Sequence, residues 1–228
     1  MRKFDYTFLK KISVPADIMN SATSIYEMKA KAELRRTDFA DVFSAMEYVA
    51  KIQSVKSSNA IEGIITTDKR IRDIVNKSTA PQGHNELEIA GYRDALDLIH
   101  GSYSDIPFSE KSILELHRML LQPSGDDFAG KYKTEDNFIM ETDRESVRSV
   151  RFTPVPANET ASAMEQLILA YHAAYSESEI NPLLLIPCVI LDFLCIHPFR
   201  DGNGRMSRLL SLLLLYKSGF SAGKYVSI

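Results

Sequence analysis

The sequence predicts an all-α protein with one small β-hairpin. Apolar residues recur at three- and four-residue spacing through most of the 228 residues, as they do along amphipathic helices. Between positions 123 and 156 this spacing is interrupted by glycines, prolines and short β-like runs. Two nearly continuous apolar runs follow, over 183–196 and 206–216, and such runs are typical of central, buried helices.

The helices before the interruption are predicted from their periodicity and their caps. The stretch TDFADVFSAMEYVAKIQ has apolar residues at helical spacing, and Thr37 or Asp38 is its predicted N-cap. Further helices are predicted over TTDKRIRDIVN, ELEIAGYRDALDLIH and SEKSILELHRMLL, the last with Ser109 as its cap.

The second half of the chain is predicted to begin with a hairpin and to end with three helices. The runs NFIM and VRSVRF predict the two strands of a hairpin that projects from the helical body. Helicity resumes in NETASAMEQLILAYHAAYS and continues through the two apolar runs. Pro187 falls early in the first run, where a missing amide donor is tolerated or produces a kink.

Composition and charge exclude several classes of protein. The apolar fraction of 45%, the charged fraction of 25% and the formal net charge of −3 are ordinary, so direct nucleic-acid binding is not expected. The N-terminus lacks the apolar stretch of a secretory signal, and the longest apolar run is shorter than the ~20 residues that span a bilayer. We therefore predict a cytoplasmic protein without a membrane segment.

One polar loop, HPFRDGNGRMSR at 197–208, lies between the two apolar runs and has features of an anion site. Gly202 and Gly204 allow a tight turn and a close approach of backbone to ligand. Their amides would face the same space as the N-terminus of the next helix, which attracts anions. Arg205 and Arg208 are three positions apart, so both can lie on one side of that helix and bind separate phosphate oxygens.

The same loop carries a candidate base and a candidate metal ligand. His197 can accept a proton near neutral pH, and Asp201 supplies a hard oxygen suited to Mg²⁺ that also binds phosphates. A plain DGNG turn is disfavoured because such turns join strands, whereas both flanks here are helical. The loop also lacks the alternating oxygen ligands of a calcium loop and the lysine of a Walker A loop. These residues predict phosphoryl or nucleotidyl transfer.

The loop resembles the signature of Fic proteins, HPFx(D/E)GNGRxxR, at all twelve positions. The resemblance covers about residues 109–220 and includes FTPVPANE and the hairpin before it. It implies a Fic-type helical bundle in which the hairpin is a flap over the target side chain. Ile139 and Met140 are candidates to touch the target from this flap, and simple packing of the hairpin is the equal alternative.

The Fic resemblance also implies a reaction, the transfer of AMP from Mg-ATP to a Ser, Thr or Tyr hydroxyl of a protein, with pyrophosphate leaving. His197 would deprotonate the hydroxyl, Asp201 would hold Mg²⁺, and Phe199 would anchor the loop in the core. The phosphates would be bound by a further set: Asn203 with the amides of Gly202 and Gly204 for the α- and β-phosphates, Arg205 for the β-phosphate side, and Arg208 for the γ-phosphate.

Three further features concern the regions of the chain, the residue before the flap and the end of the sequence. The resemblance divides it into an N-terminal helical region over 1–105 and a catalytic core over 106–228, within one compact unit. The family often has arginine where this chain has Lys133, in GKYK ahead of the flap, and this difference bears on how the flap is positioned. The sequence stops at KYVSI, soon after a buried helix and without a polar tail, as a fragment of a longer polypeptide would.

The stretch SSNAIEG at 57–63 is a second motif. By itself it reads as a helix end with Gly63 as its C-cap and Glu62 exposed. Beside a Fic loop, Ser58-x-x-x-Glu62-Gly63 resembles the inhibitory motif of the family, (S/T)xxxE(G/N). The resemblance implies that Glu62 pairs with Arg208 through a charge-assisted contact and removes the clamp on the γ-phosphate within one chain.

The predicted function is therefore that of a protein adenylyltransferase that is inhibited by its own Glu62. One alternative on the same fold is removal of AMP from a modified protein, or another nucleotidyl or phosphoryl transfer. An alternative of another class is a non-catalytic, nucleotide-binding regulatory module. Expected partners are ATP, an unidentified target protein and the chain itself as a target. Fic relatives often dimerise, so a homodimer is also expected.

Overall fold

The computed structural model describes residues 4–142, 148–177 and 179–227, and it confirms a helical fold with one small sheet. Most of the helices pack around one hydrophobic core. The helices and strands of the described residues, in chain order, are α1 (Ala16–Arg35), α2 (Ala40–Ile61), α3 (Asp68–Val75), α4 (Gly83–Ser102), α5 (Glu110–Leu121), β1 (Ile139–Thr142), β2 (Arg148–Phe152), α6 (Thr160–Tyr175), α7 (Pro182–Ile196) and α8 (Asn203–Lys217).

The N-cap prediction is correct for α5 and wrong for α2. Ser109 Oγ accepts a hydrogen bond from the amide of Ser112 at 3.3 Å, as an N-cap does. Helix α2 begins after Phe39, not after Thr37 or Asp38. The Phe39 amide donates to the Arg35 carbonyl at 3.1 Å, so the chain continues from α1 through a turn into α2, and Phe39 provides no side-chain cap.

The predicted hairpin is formed by β1 and β2, which pair antiparallel. Ile139 lies opposite Phe152 and Met140 opposite Val150, with a shift in register between the two pairs. The side chains of Met140 and Val150 are about half exposed. The hairpin therefore stands off the core, as a flap would. Val147, the first residue of the second predicted strand, lies outside the described residues.

Helices α7 and α8 supply much of the core, as their sequences predict, but α7 is not buried on all sides. Leu191 is 60% exposed, whereas its neighbour Asp192 is buried and accepts a hydrogen bond from the Tyr6 hydroxyl at 3.0 Å. A partner from the N-terminal segment therefore allows a carboxyl group to face the core. Among the described residues, no helix combines the length and apolar character needed to cross a bilayer.

Candidate active site

The loop between α7 and α8 brings the predicted site residues to the N-terminus of α8. This helix begins at Asn203, three residues earlier than the sequence predicts. Gly202 has φ of 80° as the N-cap, and its carbonyl accepts from the Met206 amide at 2.8 Å. Gly204 and Arg205 therefore belong to the first turn of α8, where backbone N–H groups lack helical partners and attract anions.

His197 ends α7 in a left-handed conformation and has one ring nitrogen ready to accept a proton. Its φ of 51° is unusual for a residue with a side chain. Nδ1 lies 3.3 Å from the Leu194 carbonyl, which only accepts, so Nδ1 carries the hydrogen and Nε2 keeps a lone pair. Burial lowers the pKa of His197, which keeps the ring neutral at pH 7.

The loop is fixed from inside by Phe199 and Asn203. The Phe199 ring is fully buried and stacks on His117, with 3.7 Å between ring centroids. Asn203 Oδ1 accepts from the Phe199 amide at 2.9 Å, and its Nδ2 donates to the Phe199 carbonyl at 2.8 Å. The Asn203 side chain is therefore occupied within the loop, so only its backbone N–H is placed to meet a phosphate.

His117 on α5 is a site residue that sequence reasoning missed. The Gly130 amide donates to its Nδ1 at 2.9 Å, so Nε2 carries the hydrogen and donates to the Asp201 carbonyl at 3.0 Å. Burial lowers the pKa of His117 to about 4, so the ring is neutral. The sequence carries no local signal for this role, because the partners of His117 lie 13 and 84 positions away.

Arg205 is fully buried and connects the loop to α4. Its Nη1 lies 2.6 Å from Oε2 of the buried Glu88, and its Nη2 lies 3.3 Å from Asp201 Oδ2. Glu88 was not predicted as a site residue. In this arrangement Arg205 holds Asp201 and the first turn of α8, and its guanidinium is closed to solvent.

The Asp201 carboxylate has the character of a magnesium ligand. Its side chain is 63% exposed, it offers hard oxygens, and it lies beside the anion-attracting end of α8. Mg²⁺ is usually held by one or two carboxylates together with phosphates and water, so one aspartate fits it. Within the described residues no group of three or more His, Cys, Asp or Glu side chains forms a metal cage.

Ser58 and Glu62 from α2 hold Arg208. Arg208 Nε donates to Ser58 Oγ at 2.6 Å, and Nη2 donates to the Ser58 carbonyl and to Glu62 Oε1, both at 2.8 Å. Glu62 is the C-cap residue of α2, and Gly63 follows it with φ of 79°. The chain turns at once, which leaves the carboxylate facing α8.

The Glu62 carboxylate also lies directly over the first turn of α8. A Cβ atom on Gly204 would be 2.1 Å from Glu62 Oε1, so only glycine permits this approach. A negative group of the chain therefore occupies the space in which the N-terminus of α8 attracts anions.

The candidate flap connects to this loop through Asn137. Its Nδ2 donates to the carbonyls of Phe199 at 3.1 Å and His197 at 3.4 Å. Ile139 and Met140 follow on β1, with Met140 half exposed.

The fold and the site together define a helical domain whose central loop presents a neutral histidine, a carboxylate and an arginine at a helix N-terminus. The sequence model of the Fic/DOC family matches residues 107–215, which contain all of this loop. The chain belongs to the Fic/DOC family.

Curated relatives of this family include two animal proteins named protein adenylyltransferase. The protein from Nematostella vectensis is 30% identical over 179 residues, which are 75% of this chain and 39% of the relative. The protein from Caenorhabditis elegans is 29% identical over 194 residues, 82% of this chain and 33% of the relative. The chain thus spans well under half the length of these relatives.

Solved structures agree on the fold. A Fic domain containing signalling protein from Bacteroides thetaiotaomicron has a TM-score of 0.73 at 23% identity, covering 86% of this chain and 73% of that one. A Fic family protein from Desulfovibrio desulfuricans has a TM-score of 0.76 at 19% identity, covering 94% and 61%.

Proposed function

We propose that the chain is a protein adenylyltransferase whose activity is inhibited by Glu62. One observation carries this proposal: the Glu62 carboxylate lies against Gly204 and Arg208 at the N-terminus of α8, where a nucleotide polyphosphate would bind. The names of the curated relatives support AMP as the transferred group.

The proposed reaction is an in-line displacement at the α-phosphorus of ATP. The oxygen of a target hydroxyl forms a bond to that phosphorus while the bond to the bridging oxygen of the β-phosphate breaks. The products are the AMP ester of the target and pyrophosphate. His197 Nε2 takes the hydroxyl proton, because Nδ1 is committed to Leu194 and the ring is neutral.

The other residues bind and orient the nucleotide. The N–H groups of the first turn of α8 receive phosphate oxygens, and Arg208, once released, binds the γ-phosphate. Asp201 would hold Mg²⁺, and bound Mg²⁺ neutralises phosphate charge and stabilises the leaving pyrophosphate. Arg205 and His117 keep Asp201 in place through its carboxylate and its carbonyl.

Inhibition follows because Glu62 and the polyphosphate of ATP compete for the N-terminus of α8 and for Arg208. With Glu62 in place, Arg208 is occupied and a negative charge repels the polyphosphate. Replacing Glu62 by glycine frees both, so we expect Glu62→Gly to raise AMP transfer by roughly tenfold or more. His197→Ala should abolish transfer in that background because no base remains.

The experiment is incubation of Glu62→Gly protein with Mg²⁺ and ATP labelled at the α- or the γ-phosphate, followed by intact-mass analysis of the chain itself as target. Retention of the α label with a mass gain of one AMP supports the proposal. Retention of the γ label shows a kinase-like reaction instead. Equal labelling of Glu62→Gly and the parent protein rejects inhibition by Glu62, and ATP binding without turnover favours a regulatory module.

A further inference from the structure

The carbonyl groups of four consecutive residues around His197 accept hydrogen bonds from the segment that precedes β1. All four hydrogen bonds are donated by Lys133 or Asn137. Lys133 Nζ donates to Ile196 O at 3.1 Å, Asn137 Nδ2 to His197 O at 3.4 Å, the Lys133 amide to Pro198 O at 2.9 Å, and Asn137 Nδ2 to Phe199 O at 3.1 Å. The two side chains are joined, since Lys133 Nζ also donates to Asn137 Oδ1 at 2.8 Å.

These bonds surround the most strained residue of the loop. His197 has φ of 51°, a left-handed conformation that costs energy in a residue with a Cβ. The last carbonyls of a helix also lack intrahelical partners. The bonds from Lys133 and Asn137 satisfy those carbonyls only while the backbone of His197 keeps this conformation, so they select it.

Lys133 also sets the charge around the ring of His197. Its side chain is almost fully buried beneath the loop, where Asp136 is the acidic group that faces it. Burial lowers the pKa of Lys133 to about 8, which leaves most of the population charged at pH 7. The charged groups that act on His197 are the Lys133 ammonium, which lowers its pKa, and the carboxylates of Glu62 and Asp201, which raise it.

We propose that Lys133 and Asn137 are positioning residues of the active site: together they hold His197 in its left-handed conformation, and Lys133 places a buried positive charge beside it. This inference rests on the proposed role of His197 as the base. It assigns a function to the one position where the sequence has lysine and the Fic pattern often has arginine. It also links the flap to the base, because both residues lie just before β1.

The first test measures the pKa of His197 by NMR in the protein without nucleotide, with the resonance assigned by its loss in His197→Ala. Lys133→Met should raise that pKa by about half a unit or more, because a nearby cation is removed. Lys133→Arg keeps the cation and should leave the pKa unchanged. Lys131→Met is the matched control, since Lys131 is exposed and its ammonium group donates to the Asp127 carbonyl, away from His197.

The second test measures AMP transfer in the Glu62→Gly background. Lys133→Met and Asn137→Ala should each lower kcat by about tenfold or more with little change in the KM for ATP, because neither side chain is placed to bind phosphate. Lys133→Arg should restore most of the rate. Thermal melting of each variant shows whether it is folded, and Lys133→Gln replaces Lys133→Met if that variant does not fold.

The two tests separate the two proposals. If Glu62→Gly protein transfers no AMP, the proposed function fails, and the NMR titration still decides the role of Lys133 beside His197. If the pKa of His197 is the same in Lys133→Met, Lys133→Arg and Lys131→Met, the inference is overturned. Equal kcat values in the Lys133 variants, Asn137→Ala and the control would also overturn it.

Discussion

At the scale of single residues, the guanidinium of Arg208 has three acceptors, all supplied by the end of α2. Two belong to Ser58, which is neutral, and one to Glu62, which is charged. Only the charged partner also lies over the N-terminus of α8. Ser58 therefore orients the arginine, whereas Glu62 places a negative charge where phosphates would bind.

This difference predicts that ATP affinity responds to the charge of Glu62. Glu62→Gln keeps the size of the side chain and removes its charge, so we expect the Kd for Mg-ATP to fall by about tenfold, which corresponds to about 1.4 kcal/mol. Isothermal titration calorimetry measures this value directly. It requires no turnover.

The matched control is Glu33→Gln, which removes one carboxylate from an exposed position of α1. If it tightens binding as much as Glu62→Gln does, the effect comes from net charge and the local interpretation is wrong. Ser58→Ala should change the Kd less than Glu62→Gln, because the Ser58 hydroxyl carries no net charge.

Single residues also show how far the sequence predicts the site. The loop and the inhibitory motif are local patterns, so His197, Asp201, Glu62 and Arg208 were identified from the sequence and its Fic resemblance. Glu88 was not identified, because its partner lies on α8 and only the packing of the two helices brings them together. The burial of Arg205 was missed for the same reason.

At the scale of elements, α5 shows how a local signal fixes part of the site. Its N-cap was predicted from Ser109, and its periodicity placed one face in the core. The role of α5 in the site depends on a tertiary contact, because His117 on the buried face donates a hydrogen bond to the Asp201 carbonyl. The opposite case is α2, which begins after Phe39 and at neither of the predicted caps.

The cap of α5 gives a prediction for stability. Ser109→Ala removes the acceptor for the Ser112 amide and should lower the free energy of unfolding by about 1 kcal/mol. Ser109→Asp should recover most of it, because a carboxylate accepts the same bond and interacts well with the helix N-terminus. Urea denaturation at pH 7 measures both. Equal midpoints for Ser109→Ala and the parent protein would show that the cap contributes nothing.

At the scale of the whole molecule, Glu62 and Arg208 are in contact although they lie 146 positions apart, and both belong to the same packed body. Helix α4 packs against α2, α5 and α8, so it joins the helix that carries Ser58 to the helix that carries Arg208. Residues from both sides of the predicted boundary at position 105 share one hydrophobic core. Which helices contact one another does not follow from sequence patterns, because the patterns describe single helices.

The packed body also predicts a loss of stability in mild acid. Burial lowers the pKa values of His100 and His117 to about 4, against about 6.5 in an unfolded chain. Between pH 4 and pH 6.5 the unfolded chain binds more protons than the folded one. The contribution of these histidines to the free energy of unfolding is therefore complete above pH 6.5 and decreases as the pH drops toward 4. From pH 7.5 to pH 5 the loss should be about 2 kcal/mol for each histidine.

Urea denaturation at pH 7.5 and pH 5 tests this prediction, because pH 5 still lies above the pKa of about 4.5 at which a carboxylate such as Glu86 protonates in the unfolded chain. His117→Gln should be less stable than the parent protein at pH 7.5, since the stacking on Phe199 is lost. It should nevertheless lose about 2 kcal/mol less than the parent protein between the two pH values, because one titrating group has been removed while His100 and His197, whose pKa values burial also lowers, remain. An acid loss as large in His117→Gln as in the parent protein would show that protonation of His117 does not oppose folding.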